Sequence, residues 1–179
     1  MKKTHLKPYV IQILPVPAVS PDAFDLPMEQ NALISCTDRS NRFLESGALL
    51  HKLILPFPDA EIAKVPGAFN GAHARAIIRF LRSLPDGVTD LYVCCSKGGS
   101  RSPALAAALL KGSGRRDDAV WKNPFYVPNT LVYKRMCKEL GFFMPGLFVR
   151  FKKLGNILQY KKAQKRGDPG EWERWQLLF

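Results

Sequence analysis

The sequence predicts an α/β fold, in which a mostly parallel central sheet of about four to five strands is flanked by helices. Four short apolar runs have the length of buried strands, at residues 9–14, 32–36, 52–55 and 91–93. Residues 68–84 place apolar side chains three and four positions apart, as a helix does, and an alanine-rich helix is predicted at 104–110. Strands that alternate with helices typically form parallel sheets with covered faces.

Turn-forming residues separate these elements along the chain. Pro15 and Pro17 end the first strand, and the second runs into a polar loop at residues 37–41. Pro56 stops the third strand, and a Pro-Asp-Gly turn at residues 85–87 closes the first long helix. Because the carboxyl ends of parallel strands lie at one edge of a sheet, the loops after these strands are expected to converge there.

The C-terminal part is predicted to be helical and basic. A polar linker at residues 115–123 precedes a helix at 129–140, with Asn129 or Thr130 as its cap. Apolar residues then recur at 4-3-4 spacing: Leu147, Phe151, Leu154 and Leu158. This spacing predicts an amphipathic helix whose apolar side packs on the domain, and docking on a membrane surface is the less favoured alternative.

The length of the chain predicts one domain, and its positive charge is unevenly distributed along the sequence. Residues 1–179 are expected to form a single domain, with residues 141–179 as a basic helical extension packed on it. The net charge is +12, and residues 134–166 contain ten Lys or Arg but one acid, Glu139. That segment is a candidate polyanion-binding surface, although a solvated helix face explains the same charge.

Composition argues against several protein classes. No apolar run approaches the roughly 20 residues that span a bilayer, so no transmembrane segment is expected. The four cysteines are Cys36, Cys94, Cys95 and Cys137. Their spacing matches neither a disulfide framework nor a zinc site, so we expect no metal and no cofactor. Free thiols predict a reducing, cytoplasmic setting.

The most informative motif is a C-x5-R loop that begins at Cys95 and ends at Arg101. It lies between a predicted strand and a predicted helix, so its backbone N–H groups and the helix N-terminus should bind an oxyanion. These groups, together with Arg101, favour the thiolate form of Cys95 and make it the candidate nucleophile. The predicted phosphate-binding residues are Ser96, Lys97, Gly98, Gly99, Ser100 and Arg101.

These residues resemble the signature of the cysteine-dependent protein tyrosine phosphatases, His-Cys-x2-Gly-x2-Arg-Ser/Thr, and especially of the small dual-specificity-like members. The cysteine, glycine, arginine and following hydroxyl are matched by Cys95, Gly98, Arg101 and Ser102. The resemblance implies a phosphatase-like fold and the hydrolysis of phosphorylated protein, or another phosphomonoester, through a phosphocysteine on Cys95. Cys94 replaces the usual histidine, and this departure predicts a less activated nucleophile.

The resemblance also implies an aspartate that acts as general acid from a loop upstream of the cysteine. Asp59 is the first choice because it follows the third strand and precedes the long helix, and Asp38 is the second. Asp22 and Asp25 are weaker candidates. In such an enzyme Ser102 would hydrogen-bond the thiolate and help the phosphocysteine break down. Lys97 either favours polyanionic substrates or is merely solvated.

The sequence is also compatible with other functions. A sulfurtransferase of the rhodanese type fits less well, because its loop commonly has a basic residue where this chain has Ser96. The missing histidine allows a weakly active or inactive phosphoanion-binding protein. The basic segment allows a phosphatase that acts on RNA or lipid. Finally, Cys36 or Cys94 is a candidate to trap an oxidised Cys95 as a disulfide.

Overall fold

A four-stranded parallel sheet forms the centre of the molecule. The computed structural model describes residues 3–24, 27–37, 39, 41–45 and 47–166. Its strands are β1 (Val10–Pro15), β2 (Asn31–Ser35), β3 (His51–Ile54) and β4 (Asp90–Cys95), in the spatial order β1-β4-β2-β3. All three strand pairs are parallel, which confirms the predicted sheet, with four strands in the described residues.

Six α-helices accompany this sheet in the described part of the chain. They are α1 (Arg42–Glu45), α2 (Gly71–Ser83), α3 (Arg101–Gly112), α4 (Asp118–Lys122), α5 (Thr130–Glu139) and α6 (Gly146–Lys165). The predicted linker at residues 115–123 contains α4, so that part of the prediction was wrong. A helix of five residues has little more than one turn, which is too short to show periodicity.

The two faces of the sheet are covered differently. Helices α2, α3 and α5 pack on one face and form the larger core with the side chains of Ile11, Ile34 and Val93. The other face packs against α1 and short turns, in a smaller core around Tyr92 and Cys94. Helix α3 is buried almost throughout, because four of its residues are alanines that let β4 and α5 approach closely.

Helix α6 packs on α4 and α5 with the opposite face from the one predicted. Its apolar stripe is exposed to solvent, by 56% to 66% of each side chain. The stripe consists of Leu147, Phe151, Leu154 and Leu158. The prediction that this stripe packs on the domain was therefore wrong. The buried residues of the helix are Val149 and Asn156.

Polar partners from distant elements explain why α6 buries this face. The ammonium group of Lys152 lies 2.8 Å from a carboxylate oxygen of Asp117, and Lys153 pairs with Glu61. The Nδ2 group of Asn156 donates to two backbone oxygens at the end of α4. Buried polar groups are stable when they are satisfied in this way.

Two further predictions concern a transmembrane segment and the C-terminal extension. No helix in the described ranges is long and apolar enough to cross a membrane. The segment of the predicted basic extension at residues 167–179, with Trp172 and Trp175, lies outside the described residues.

Candidate active site

A five-residue loop, residues 96–100, joins the end of β4 to the start of α3. Gly98 in this loop has a φ of +67°, a conformation that side chains disfavour. A Cβ atom there would also lie 3.0 Å from the backbone nitrogen of Pro15, at the end of β1. Glycine at this position therefore lets the loop curl tightly against the neighbouring strand.

Cys95 lies at the base of this loop, on the sheet face that α3 covers. Its Sγ atom is 3.1 Å from the Oγ atom of Ser102, in the first turn of α3. Both side chains are buried. The hydroxyl is thus in position to donate a hydrogen bond to a thiolate on Cys95.

Arg101 is 9% exposed and is held by three loops at once. Its Nη1 group donates to the backbone oxygens of Cys36 and Phe57, each at 2.8 Å, and its Nη2 group donates to Ser96 Oγ at 2.8 Å. Its buried Nε group has no hydrogen-bond partner among the described residues. A buried donor without a partner is costly, so Nε is a donor that an anionic ligand would satisfy.

The backbone of the loop offers further donors. The N–H groups of Ser96, Lys97, Gly99 and Ser100 form no hydrogen bond with the part of the chain that the structure describes. These residues line a cavity of about 710 Å³ together with Cys95 and Arg101. N–H groups of a loop that leads into a helix N-terminus are an established arrangement for binding an oxyanion.

The walls of the cavity are more apolar than its floor. The segment between α4 and α5 contributes one wall with Phe125, Tyr126 and Val127, and α6 contributes Tyr160 and Gln164. Such a cavity suits a ligand with an anionic end and an apolar body. Sequence reasoning missed these wall residues, because nothing in the local pattern relates residues 125–127 or α6 to the loop.

Asp59 lines the same cavity, at the edge of the loop. Its Oδ1 atom accepts hydrogen bonds from Ser100 Oγ at 2.9 Å and from Asn129 Nδ2 at 2.7 Å. No other hydrogen bond reaches the Asp59 carboxylate from the described residues, so Oδ2 remains available to a ligand. The candidate acid and the candidate nucleophile thus share one cavity.

Asn129 is a residue of the site that sequence reasoning identified only as a helix cap. It is completely buried, and its Oδ1 atom accepts from the backbone N–H groups of Leu131 and Val132 at the start of α5. Its Nδ2 group holds Asp59 and the backbone oxygen of Ala60. The capping signal was readable from sequence, but the second role depends on a partner 70 residues away.

The other aspartates that were considered as acids do not enter the described site. Asp22 is exposed on a 3-10 turn, Pro21–Ala23, and does not line the cavity. Asp38 and Asp25 lie outside the described residues. Thr37, the residue before Asp38, does reach the site, since its Oγ1 atom lies 3.2 Å from Ser96 Oγ.

The cysteines beside the nucleophile lie on different faces of the sheet. Cys94 belongs to the smaller core, opposite Cys95, and burial raises the pKa of its thiol to about 12. Cys36 lies on the same face as Cys95, and burial, followed by the nearby Cys95, raises the pKa of its thiol. Among the described residues, no group of three or more His, Cys, Asp or Glu could hold a metal ion.

Comparison with known proteins gives similar structures but no close sequence relative. No protein-family model matches the chain, and no curated protein matches it. A variant of human DUSP28 covers 93% of this chain and 99% of its own, with 13% identity and a TM-score of 0.46. Tk-PTP in its active form covers 86% and 95%, with 12% identity and a TM-score of 0.44. The Yvh1 phosphatase domain from Chaetomium thermophilum covers 94% and 98%, with 17% identity and a TM-score of 0.41.

Proposed function

We propose that this chain is a phosphomonoester hydrolase of the protein tyrosine or dual-specificity phosphatase type, acting through a phosphocysteine intermediate on Cys95. One observation carries the proposal: Cys95 lines the same cavity as a loop with four N–H groups that no described residue engages, and as Arg101, whose buried Nε group has no partner among the described residues. These donors suit a phosphoryl group in transfer, because its negative charge is spread over three equatorial oxygens in the transition state.

In the first step the Cys95 thiolate attacks phosphorus. The S–P bond forms and the bond between phosphorus and the ester oxygen breaks. The leaving oxygen takes the proton of Asp59, whose Oδ2 atom is not engaged by the described residues. Arg101 binds the phosphoryl oxygens through Nε and Nη2, while its bonds to the Cys36 and Phe57 carbonyls fix the guanidinium plane.

In the second step water attacks the phosphocysteine. The S–P bond breaks, inorganic phosphate leaves, and the Asp59 carboxylate accepts the proton that the water loses. Ser102 stabilises the thiolate that is released, since its hydroxyl lies 3.1 Å from Sγ. The enzyme returns to its starting state without a metal or a redox cofactor in either step.

The proposed substrate is a phosphorylated protein or another phosphomonoester. The apolar walls that Phe125, Tyr126 and Tyr160 form favour a leaving group with an apolar body. Lys97 is exposed at the rim of the cavity and adds a positive charge near the entering anion. The proposed setting is the reducing cytoplasm, where the four cysteines, all free thiols in the structure, would stay reduced.

A second candidate function is phosphoanion binding without turnover. The observation behind it is Cys94, whose buried thiol stays neutral because burial raises its pKa to about 12. A neutral thiol on the far face of the sheet adds no positive charge to activate Cys95. In this alternative the loop would bind phosphate or vanadate, and Cys95 would not turn substrate over.

The two functions are separated by hydrolysis of para-nitrophenyl phosphate in the presence of a chelator. We expect turnover by the wild type, its loss in Cys95→Ser, and a drop of about 100-fold in Asp59→Asn, since general acids contribute roughly 10²–10⁴-fold. Cys137→Ser and Asp86→Asn are matched controls, because neither residue lines the cavity. Vanadate binding without any turnover would replace the enzyme proposal with the binding protein.

A further inference from the structure

The outer face of α6 leaves a row of large apolar side chains exposed to solvent. We define this outer face as the exposed stripe Leu147, Phe151, Leu154 and Leu158, together with the exposed Phe148 of the same helix and Phe143, three residues before the helix begins. These six side chains account for most of the large exposed hydrophobic residues in the described chain. A continuous exposed apolar patch on a helix usually marks a docking surface.

The charges of α6 are arranged around this stripe. Residues 140–167 contain no Asp or Glu. Lys152 and Lys153 turn inward to Asp117 and Glu61, as described above. The remaining cations form no ion pair with any described residue: Arg150, Lys161, Lys162, Lys165 and Arg166.

The helical spacing places three of these cations in line with the stripe. Lys161, Lys162 and Lys165 follow Leu158 by three, four and seven residues, so they continue the same side of the helix toward its end. Arg150 flanks the stripe one residue before Phe151. The outer face is thus apolar over its first turns and cationic over its last.

We propose that the outer face of α6 docks on a membrane surface that contains anionic lipid headgroups. Such a surface satisfies both halves of the face, because apolar side chains enter the boundary between headgroups and acyl chains while Lys and Arg bind the headgroup phosphates. The same face of a second copy would offer these cations no carboxylate, because residues 140–167 contain no Asp or Glu. A nucleic acid would pair with the cations but would leave six large apolar side chains in water.

Docking in this way leaves the cavity accessible. Tyr160 and Gln164 project from the side of α6 that lines the cavity, whereas the stripe lies on the side away from α4 and α5. The cavity would therefore be held beside the membrane and not be covered by it. The docking itself does not depend on the proposed phosphatase activity, so it can be tested with an inactive chain.

The test is co-sedimentation of the full-length chain with lipid vesicles. We expect binding to vesicles of phosphatidylcholine mixed with phosphatidylserine at about 0.1 M salt, and much weaker binding to phosphatidylcholine alone. Raising the salt to about 0.5 M should weaken the binding, because the shorter Debye length screens the attraction between the cations and the headgroup phosphates.

Two pairs of variants locate the surface. Phe151→Glu should lower the vesicle affinity at least about tenfold, whereas Leu50→Glu should not, although both side chains are 63% exposed. Lys162→Glu should lower it about fivefold or more, whereas Lys64→Glu, an exposed lysine outside α6, should not. Thermal melting of each variant checks that it folds, and Leu154→Glu replaces Phe151→Glu if that protein melts early.

Several results would overturn the proposal. One is equal binding to both kinds of vesicle, or none to either. Another is vesicle binding that stays the same in Phe151→Glu. Such binding would be purely electrostatic, and RNA would be expected to bind in the same way. If the wild-type chain were a dimer in solution and Phe151→Glu were a monomer, the outer face would be the binding surface for a second copy. Vesicle binding that appears only after residues 167–179 are removed would assign it to that segment.

Discussion

Cys95 and Ser102 lie on opposite sides of the turn from β4 into α3, and their side chains meet at 3.1 Å. This contact is formed between two buried groups, so the hydroxyl has few other partners for its proton. A hydrogen bond to an ionised sulfur is stronger than one to a neutral group. The contact therefore matters most when the thiolate is the leaving group, in the second step of the proposed reaction.

Replacing Ser102 with alanine is expected to slow breakdown of the phosphocysteine more than its formation. We predict a fall in kcat of about 10- to 100-fold and a burst of para-nitrophenol that the wild type lacks. Stopped-flow absorbance measures the burst. Ser113→Ala, at the other end of α3, should leave kcat unchanged. Equal slowing of both steps, without a burst, would contradict the role assigned to Ser102.

Cys36 is the cysteine placed to form a disulfide with Cys95. The backbone N–H of Cys36 donates to the oxygen of Cys94 at 2.8 Å, so Cys36 lies one residue beyond the pair Ser35–Cys94. Neighbouring strands are about 4.8 Å apart, within the range that a disulfide spans. Cys94 points to the other face, so the structure favours one of the two cysteines that the sequence left open.

Mild peroxide treatment should therefore abolish the proposed activity reversibly. Peroxide converts the Cys95 thiolate to a sulfenic acid. Once Cys36 has lost its proton, its thiolate attacks the sulfenic sulfur, and the disulfide forms with release of hydroxide, which takes up a proton to give water. Dithiothreitol should restore the wild type and Cys94→Ser but not Cys36→Ser, in which Cys95 becomes overoxidised. Peptide mapping identifies the linkage. Full recovery of Cys36→Ser would refute this protective role.

At the scale of elements, the start of α5 connects the loop of Cys95 to the segment of Asp59. Asn129 caps α5 with its side-chain oxygen and holds Asp59 with its side-chain nitrogen. The backbone N–H of Asn129 donates to the backbone oxygen of Ser100, and the backbone N–H of Val127 donates to the backbone oxygen of Gly99. One short segment thus positions the loop, the candidate acid and one wall of the cavity.

Substitution of Asn129 by alanine is expected to affect both stability and catalysis. The lost cap and the unsatisfied groups should lower the free energy of unfolding by about 1–3 kcal/mol. Because Asp59 loses a donor at 2.7 Å, kcat/KM should also fall, by about tenfold or more. Urea denaturation and initial rates measure the two effects.

Asn70→Ala supplies the matched control, because Asn70 caps α2 in the same way but does not line the cavity. It should lower the free energy of unfolding by about 1 kcal/mol and leave kcat/KM unchanged. If Asn129→Ala behaved in the same way as this control, Asn129 would be a cap and nothing more.

Across the whole molecule, three buried thiols make stability depend on pH. Burial raises the pKa of Cys94 and of Cys137 to about 12, and it raises the pKa of Cys36 as well. In the unfolded chain a thiol titrates near pH ~8.5. The folded state therefore holds more protons above that pH, so stability is full below pH ~8.5 and falls as the pH rises toward 12.

The predicted loss is about 1.4 kcal/mol for each thiol and each pH unit above ~8.5. The midpoint of urea denaturation, measured from pH 7 to 10.5, should stay level and then fall steeply. Cys137→Ala should make the fall shallower, because it removes one of the three thiols. A midpoint that is unchanged between pH 8 and 10 would mean that these thiols are not held neutral by the fold.

Local patterns in the sequence predicted the strands, the long helices and the loop at Cys95. Apolar runs that end at Pro15 and Pro56 are local signals, and so are the glycine and the arginine of the motif. Helices α1 and α4 were not predicted, because four and five residues are too few to show periodicity.

Long-range polar contacts determine the features that local patterns did not predict. The apolar stripe of α6 was assigned to the wrong side, because the side that packs is held by Asp117, Glu61 and backbone oxygens of α4, at least 33 residues away in sequence. The partnership of Asp59 with Asn129 spans 70 residues in the same way. Periodicity reports hydrophobic faces and gives no information about such partners.

The proposed mechanism requires Cys95 to carry the phosphoryl group during turnover, so the decisive experiment is to trap that intermediate. The chain would be mixed with para-nitrophenyl phosphate, quenched in acid within milliseconds and digested for mass spectrometry. We predict the mass of one added phosphoryl group on the peptide that contains Cys95, with a larger trapped fraction in Ser102→Ala. Turnover with no phosphoryl group on Cys95 in either protein would contradict the proposed mechanism.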